Sequence, residues 1–236
     1  MPRGFPPLLD QADRHVAERF SYGVDTTLAQ EVRAAGGGAA WFEQQLTGLV
    51  LESPRALTVA TWFPQLDLPA PLVRRLQEQG HRTVRETADE LVARTFALRT
   101  LTRRHVHETM VDFWSNLLYV PAGEGRSWPW RADYDRVVRQ HALGSFSALL
   151  KATVTHPAMT GYLTNDLNRR GAINENLGRE VLELHTVGRE AGYSERQVVD
   201  SSKILTGFTL DDTTTSRAGY DPERHATGRV RALDFT

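Results

Sequence analysis

Between residues 174 and 188 the chain reads Asn174-Glu175-Asn176-Leu177-Gly178-Arg179-Glu180-Val181-Leu182-Glu183-Leu184-His185-Thr186-Val187-Gly188. At about 100° per residue, Asn176, Arg179, Glu180 and Glu183 share one polar arc of a helix. Leu177, Val181 and Leu184 share the opposite, apolar arc, and Glu175 and His185 flank the polar one. Two carboxylates one turn apart, such as Glu180 and Glu183, can hold a hard cation through their oxygens. They can also work as an acid and a base whose pKa values repulsion drives apart. His185 titrates near neutrality and suits a general base or a metal ligand. Glu175, Glu180, Glu183 and His185 are therefore the catalytic candidates, and the chemistry they fit is hydrolysis, assisted by a divalent metal if one binds.

The same residues carry a structural reading. Arg179 and arginines from elsewhere can neutralise the carboxylates in an ion-pair network that joins helices, and His185 at a helix C-terminus can cap carbonyls and meet the negative end of the dipole. Carboxylates in charged clusters are often simply ion-paired, so this reading is the favoured one. The two-histidine spacing of zinc proteases and the glutamate-x-x-histidine spacing of carboxylate-bridged di-metal bundles are both absent.

Other polar and aromatic groups divide in the same way. Trp114 and Asn116 can form the wall and the hydrogen-bond donor of a ligand pocket, or Phe113 and Trp114 can pack inward while Asn116 satisfies a backbone carbonyl. Asn165, Asn168, Asn174 and Asn176 can line a polar cradle with Glu175, or serve turns and caps. The candidate binding residues are thus Trp114, Asn116, Asn174, Asn176 and Arg179. His105 and His107, two apart, point in different directions on a helix and read as solvated. His156 before Pro157 reads as shaping a turn. Trp128 and Trp130, in a glycine-flanked loop, can anchor a partner or fold back onto the core.

Composition narrows the class. The chain has 236 residues, enough to bury a sizeable core, with 28 basic and 29 acidic residues and no cysteine. The balanced charge argues against a strong nonspecific grip on nucleic acid. Without cysteine there is no disulfide, thiolate nucleophile or cysteine-bound metal. No phosphate-binding glycine loop or nucleophile elbow occurs, and Gly36-Gly37-Gly38 reads as a linker. No segment has the apolar length of a membrane span. The first ten residues lack the apolar run of a signal peptide, so the expected location is cytoplasmic.

Apolar residues recur at three- and four-residue spacing, which predicts helices. One opens at Asp25 or Thr26 as cap and closes at Gly36-Gly37-Gly38, and a second begins near Ala39. Residues 83–101 form an amphipathic helix with Val84, Thr87, Ala88, Leu91, Val92, Thr95 and Leu98 on its buried face. This helix runs on or hinges into 105–118. Residues 121–127 are a break, helix resumes near Ala132 and again over 145–154, and His156-Pro157 ends that element. The 174–188 helix follows, then one over 194–205 capped by Ser194. The tail from Asp211 reads as loop, with Thr213-Thr214-Thr215 at most a short strand.

The 174–188 segment resembles the signature NENYARELLELHTLG of a large bacterial family, domain of unknown function 1800. The order of further motifs agrees along most of the chain. Residues 14–23 resemble its HLLNRLTFG opening, Trp41-Phe42-Glu43-Gln44-Gln45-Leu46 its WLEQQL, Met110-Val111-Asp112-Phe113-Trp114-Ser115-Asn116 its MvdFWsN, and His156-Pro157-Ala158-Met159 its hPAM. Leu205-Thr206-Gly207-Phe208 resembles LTGw, and the segment at His225 a later His-Asp motif. Three positions depart: Leu117-Leu118 stands where the family has His-Phe, Leu177-Gly178 where it has Tyr-Ala, and Ala226 where Asp follows the histidine. The resemblance implies no established activity. Relatives are often exported and often encoded beside a sulfatase-like family of unknown function, numbered 1501, which is the partner implied. Family chains continue through a further helical half, so this chain is expected to be the N-terminal part of such a protein.

The resulting expectation is a mainly α, multi-helix orthogonal bundle with long loops and little or no β structure. Residues 1–236 form a single helical domain ending in a loop-rich tail over 211–236. Its role is a helical scaffold or partner-binding module; the alternative is the carboxylate- and histidine-centred, metal-assisted hydrolase.

Overall fold

The computed structural model describes residues 8–211 and 215–235. Thr213 and Thr214, and the start of the N-terminal segment read for a signal, lie outside them. The chain is mainly α: twelve α-helices are present among the described residues, with one two-stranded antiparallel hairpin. Two compact units divide it, Met1–Trp62 with Ala93–Phe113, and Phe63–Val92 with Trp114–Thr236.

The first unit holds α1 (Gln11–Arg19), α2 (Thr26–Ala35), α3 (Gly38–Leu46), α4 (Pro54–Trp62) and the facing parts of α6 (Val84–Leu101) and α7 (His105–Leu117). Asp25 caps α2 as expected, accepting from the Leu28 N–H at 2.7 Å, and Gly36 ends it in the left-handed region. The glycine run is a tight corner rather than a linker. The Gly38 N–H donates to Asp13 Oδ1 at 2.6 Å, and a Cβ at Gly38 would stand 3.0 Å from the Asp13 Cα. Ala17, Leu28, Val32, Trp41, Val59, Val106 and Val111 are buried here. The hinge between α6 and α7 is fastened by Glu52, which accepts from Thr102 Oγ1 and the Arg103 N–H, each at 2.8 Å.

The second unit holds α5 (Ala70–Glu78), the start of α6, the end of α7, α8 (Arg131–His141), α9 (Phe146–Val154), α10 (Pro157–Tyr162), α11 (Asn176–Glu183), α12 (Glu195–Ile204), and β1 (Phe208–Asp211) paired with β2 (Arg217–Tyr220). Leu66, Leu91 and Ala132 pack together with Phe63 and Ala122 around them. Trp128 and Trp130 occupy a short 3-10 turn and are buried, so the aromatic loop folds inward. Along α6 the buried positions include Thr87, Leu91 and Arg94, while Val92 is 48% exposed. A buried arginine is a position that apolar periodicity cannot find.

His156 begins a helix the sequence reading missed. Its Nδ1 accepts from the Ala158 N–H at 3.1 Å with Pro157 at the first helical position, where a missing N–H costs nothing. Its Nε2 lies 3.1 Å from Asp133, and that hydrogen bond holds the Asp133 carboxyl down to about 2. Among the described residues the tail is more than loop, since it holds β2 and a 3-10 turn over Pro222–Arg224. Arg224 donates to the Asp166 carbonyl at 2.6 Å, and Arg170 donates from Nε to the His225 carbonyl at 2.9 Å. The His225 ring sits 3.1 Å from Thr206 Oγ1 and 2.9 Å from the Thr206 carbonyl, so Thr206 orients the histidine that Ala226 follows in the sequence.

Candidate functional site

The approach to α11 is built from asparagines that bond the main chain. Asn168 is fully buried; its Nδ2 donates to Asn165 Oδ1 at 3.1 Å and to the Ser202 carbonyl at 2.7 Å, while its Oδ1 accepts from the Asn174 N–H at 3.0 Å. Asn165 donates to the Leu205 carbonyl at 2.9 Å. Asn174 donates to the Thr164 carbonyl at 3.2 Å and accepts from the Asn176 N–H at 3.0 Å. Asn176 is exposed and reaches the Leu163 carbonyl at 3.3 Å. These amides tie the end of α10, the start of α11 and the end of α12 into one knot.

The inward face of α11 is Leu177, Gly178 and Leu182. Leu184, expected on the apolar arc, is 61% exposed because the helix ends at Glu183 and the 100° rule stops there. Gly178 faces α12 so closely that a Cβ would stand 2.1 Å from Ser202 Oγ and 2.7 Å from the Ser202 Cα and N. Ser201 Oγ donates to the Gly178 carbonyl at 3.2 Å. The departure from the family pattern at this position thus permits a helix-to-helix contact.

On the polar face, Arg179 is the centre of an ion-pair network. Its guanidinium reaches Glu175 at 2.9 Å, Glu183 at 3.5 Å and, through both terminal nitrogens, Glu195 at 3.1 and 2.5 Å. The hydrogen bond from Arg179 holds the Glu195 carboxyl below its usual range, and Glu195, followed by Glu175, raises the arginine further. Glu183 is shared with Arg189 Nε at 2.9 Å. Glu195 was missed from sequence; its one signal is an acidic residue directly after the Ser194 cap, which Gln197 completes as a capping box.

Glu180 and Glu183 have different surroundings. Glu183 is engaged by two arginines, whereas Glu180 has a buried Oε2 without a hydrogen-bond partner among the described residues. His185 is 6% exposed, and its Nδ1 is likewise buried without a partner. Burial pushes its pKa down, opposed by a hydrogen bond to the Leu117 backbone at the end of α7. The ring therefore bonds α7, not the carbonyls of its own helix. Trp114 donates from Nε1 to the Ala142 carbonyl at 2.9 Å and stacks on Phe146 at 5.6 Å, while Phe113 is 53% exposed and Asn116 is exposed. Among the described residues, no three His, Asp or Glu side chains converge as a metal-ligating set. No described helix is long and apolar enough to cross a membrane.

No curated protein and no solved structure matches the chain. The family described as "Protein of unknown function (DUF1800)" matches residues 15–236. With the match running from the first helix to the last residue, the chain belongs to the DUF1800 family.

Proposed function

We propose that the chain is a helical scaffold that binds a protein partner, with the α11 signature holding the structure together rather than performing chemistry. The observation that carries this reading is Arg179. One guanidinium engages Glu175 and Glu183 along α11 and Glu195 at the start of α12, so two of the four catalytic candidates are taken up in ion pairs and Arg179 ties α11 to α12. Exposed apolar side chains give a scaffold material for recognition. In the first unit Leu49, Leu51 and Leu57 are 81%, 84% and 68% exposed, and large exposed apolar groups are a common mark of interaction surfaces. The partner to test is a sulfatase-like protein of the 1501 family.

A second reading has its own support. Glu180 and His185 each keep a buried polar atom unpaired, and a buried unpaired polar atom carries a desolvation cost that function can justify. Burial favours the neutral imidazole of His185, which could act as a base. In that case the chain is a carboxylate- and histidine-centred hydrolase, with or without a divalent metal.

The test compares the parent chain with a Glu180→Gln/His185→Gln variant, measuring metal content and capture of a purified sulfatase-like partner. The scaffold reading expects both chains to capture the partner equally and to carry the same metal content. Stoichiometric metal in the parent that the variant loses, or no capture by either, overturns it.

A further inference from the structure

The first unit contains a cleft of about 1090 Å³ that none of the signature residues lines. Its walls come from Tyr22 and Gly23, the start of α2, the entry to α4, and the α6–α7 hinge. A cleft of this size can take a drug-sized molecule, and its lining is both aromatic and charged. Phe96 is 62% exposed and Tyr22 44% exposed, although both line the cleft.

Three arginines, Arg55, Arg99 and Arg103, and two carboxylates line the cleft. Arg55 is exposed and is the arginine with no ion pair among the described residues. Arg99 stacks over the Tyr22 ring at 4.9 Å and pairs with Asp112. Arg103 is half-exposed and holds Glu31 loosely, at 3.4 Å. Against these stand two carboxylates. Asp25 is turned to the α2 backbone as a cap, and Glu31 is pushed toward its neutral form by burial, opposed by Arg103. His105, beside them, is pushed toward neutrality by burial. Guanidinium groups next to exposed aromatic rings favour a ligand with an anionic head and a flat apolar body, because the fork matches a carboxylate or sulfonate and the rings stack on the body.

We propose that this cleft is a binding site for a small aryl anion, with Arg55 and Arg103 holding the acidic group and Phe96 and Tyr22 the aromatic body. The site is independent of the α11 signature.

The test is fluorescence titration of the chain with 8-anilinonaphthalene-1-sulfonate, with near-UV circular dichroism establishing that each protein is folded. Saturable one-to-one binding is expected, weakened about tenfold by Arg55→Gln and by Arg103→Gln, the effect of losing one charge-assisted contact. Arg55 is exposed, so its variant folds even if Arg103→Gln does not. The neutral dye N-phenyl-1-naphthylamine is expected to bind more weakly than the sulfonate. Non-saturable binding, unchanged affinity in folded Arg55→Gln, or equal binding of the neutral dye would each overturn the assignment.

Discussion

Gly178→Ala is expected to lower the unfolding free energy by about 2 kcal/mol or more, although alanine is the better helix former by roughly 1 kcal/mol. The sign follows from what the added methyl meets. Two of the three nearest atoms, at 2.7 Å, are the Ser202 Cα and N, which cannot swing aside as a side-chain end can. The helices must part, and the Ser201 hydrogen bond to the Gly178 carbonyl weakens with them. Overpacking typically costs about 1–3 kcal/mol, occasionally more; contacts with unyielding backbone put this one at the upper end, which leaves a net loss of about 2 kcal/mol after the propensity gain. Adding Ser202→Gly removes only the 2.1 Å contact with Oγ, so the double variant should recover part of the loss. Urea unfolding decides the matter. A stabilised Gly178→Ala would mean that α11 and α12 are not in contact at this point.

Asn168→Asp should be as damaging, with a loss of about 3 kcal/mol. The substitution preserves shape and replaces one NH2 by an oxygen. That NH2 donates to both Asn165 Oδ1 and the Ser202 carbonyl, from a side chain with no solvent exposure. A carboxylate there would turn negative charge toward two acceptors and find no water to compensate. Far less damage is expected from Asn176→Asp, since Asn176 is exposed and makes a single 3.3 Å contact through its amide. Comparable thermal midpoints for the two variants would show that the asparagine knot does not hold the site together.

Local signals suffice where a single residue type determines the geometry. Ser194 caps its helix; of Asp25 and Thr26 the structure uses Asp25, and of a continuous run and a hinge after residue 101 it has the hinge. The mainly α class followed from the same periodicity. Elsewhere tertiary contacts decide. His156-Pro157 reads as a stop because proline disfavours helix before it, yet the same pair starts α10. Whether Trp128 and Trp130 point inward depends on neighbours that no local pattern encodes. Gly178 is a poor helix former by propensity, and only the position of Ser202 explains it. Within the candidate site, the helical wheel places Glu180 and Glu183 on one arc, but Arg179 from the same helix and Arg189 from beyond it both engage Glu183, while Glu180 keeps an unpaired oxygen.

That separation gives the most direct test of the signature as a structural element. Urea midpoints should be measured for Glu183→Gln and Glu180→Gln under metal-free conditions. Glu183→Gln removes the partner of both Arg179 and Arg189, so its midpoint should fall with an unchanged denaturant slope. Glu180→Gln takes charge from a carboxylate with a buried, unpaired oxygen, so its midpoint should hold or rise. A stable Glu183→Gln beside a destabilised Glu180→Gln would contradict the account and place the structural load on the wrong carboxylate.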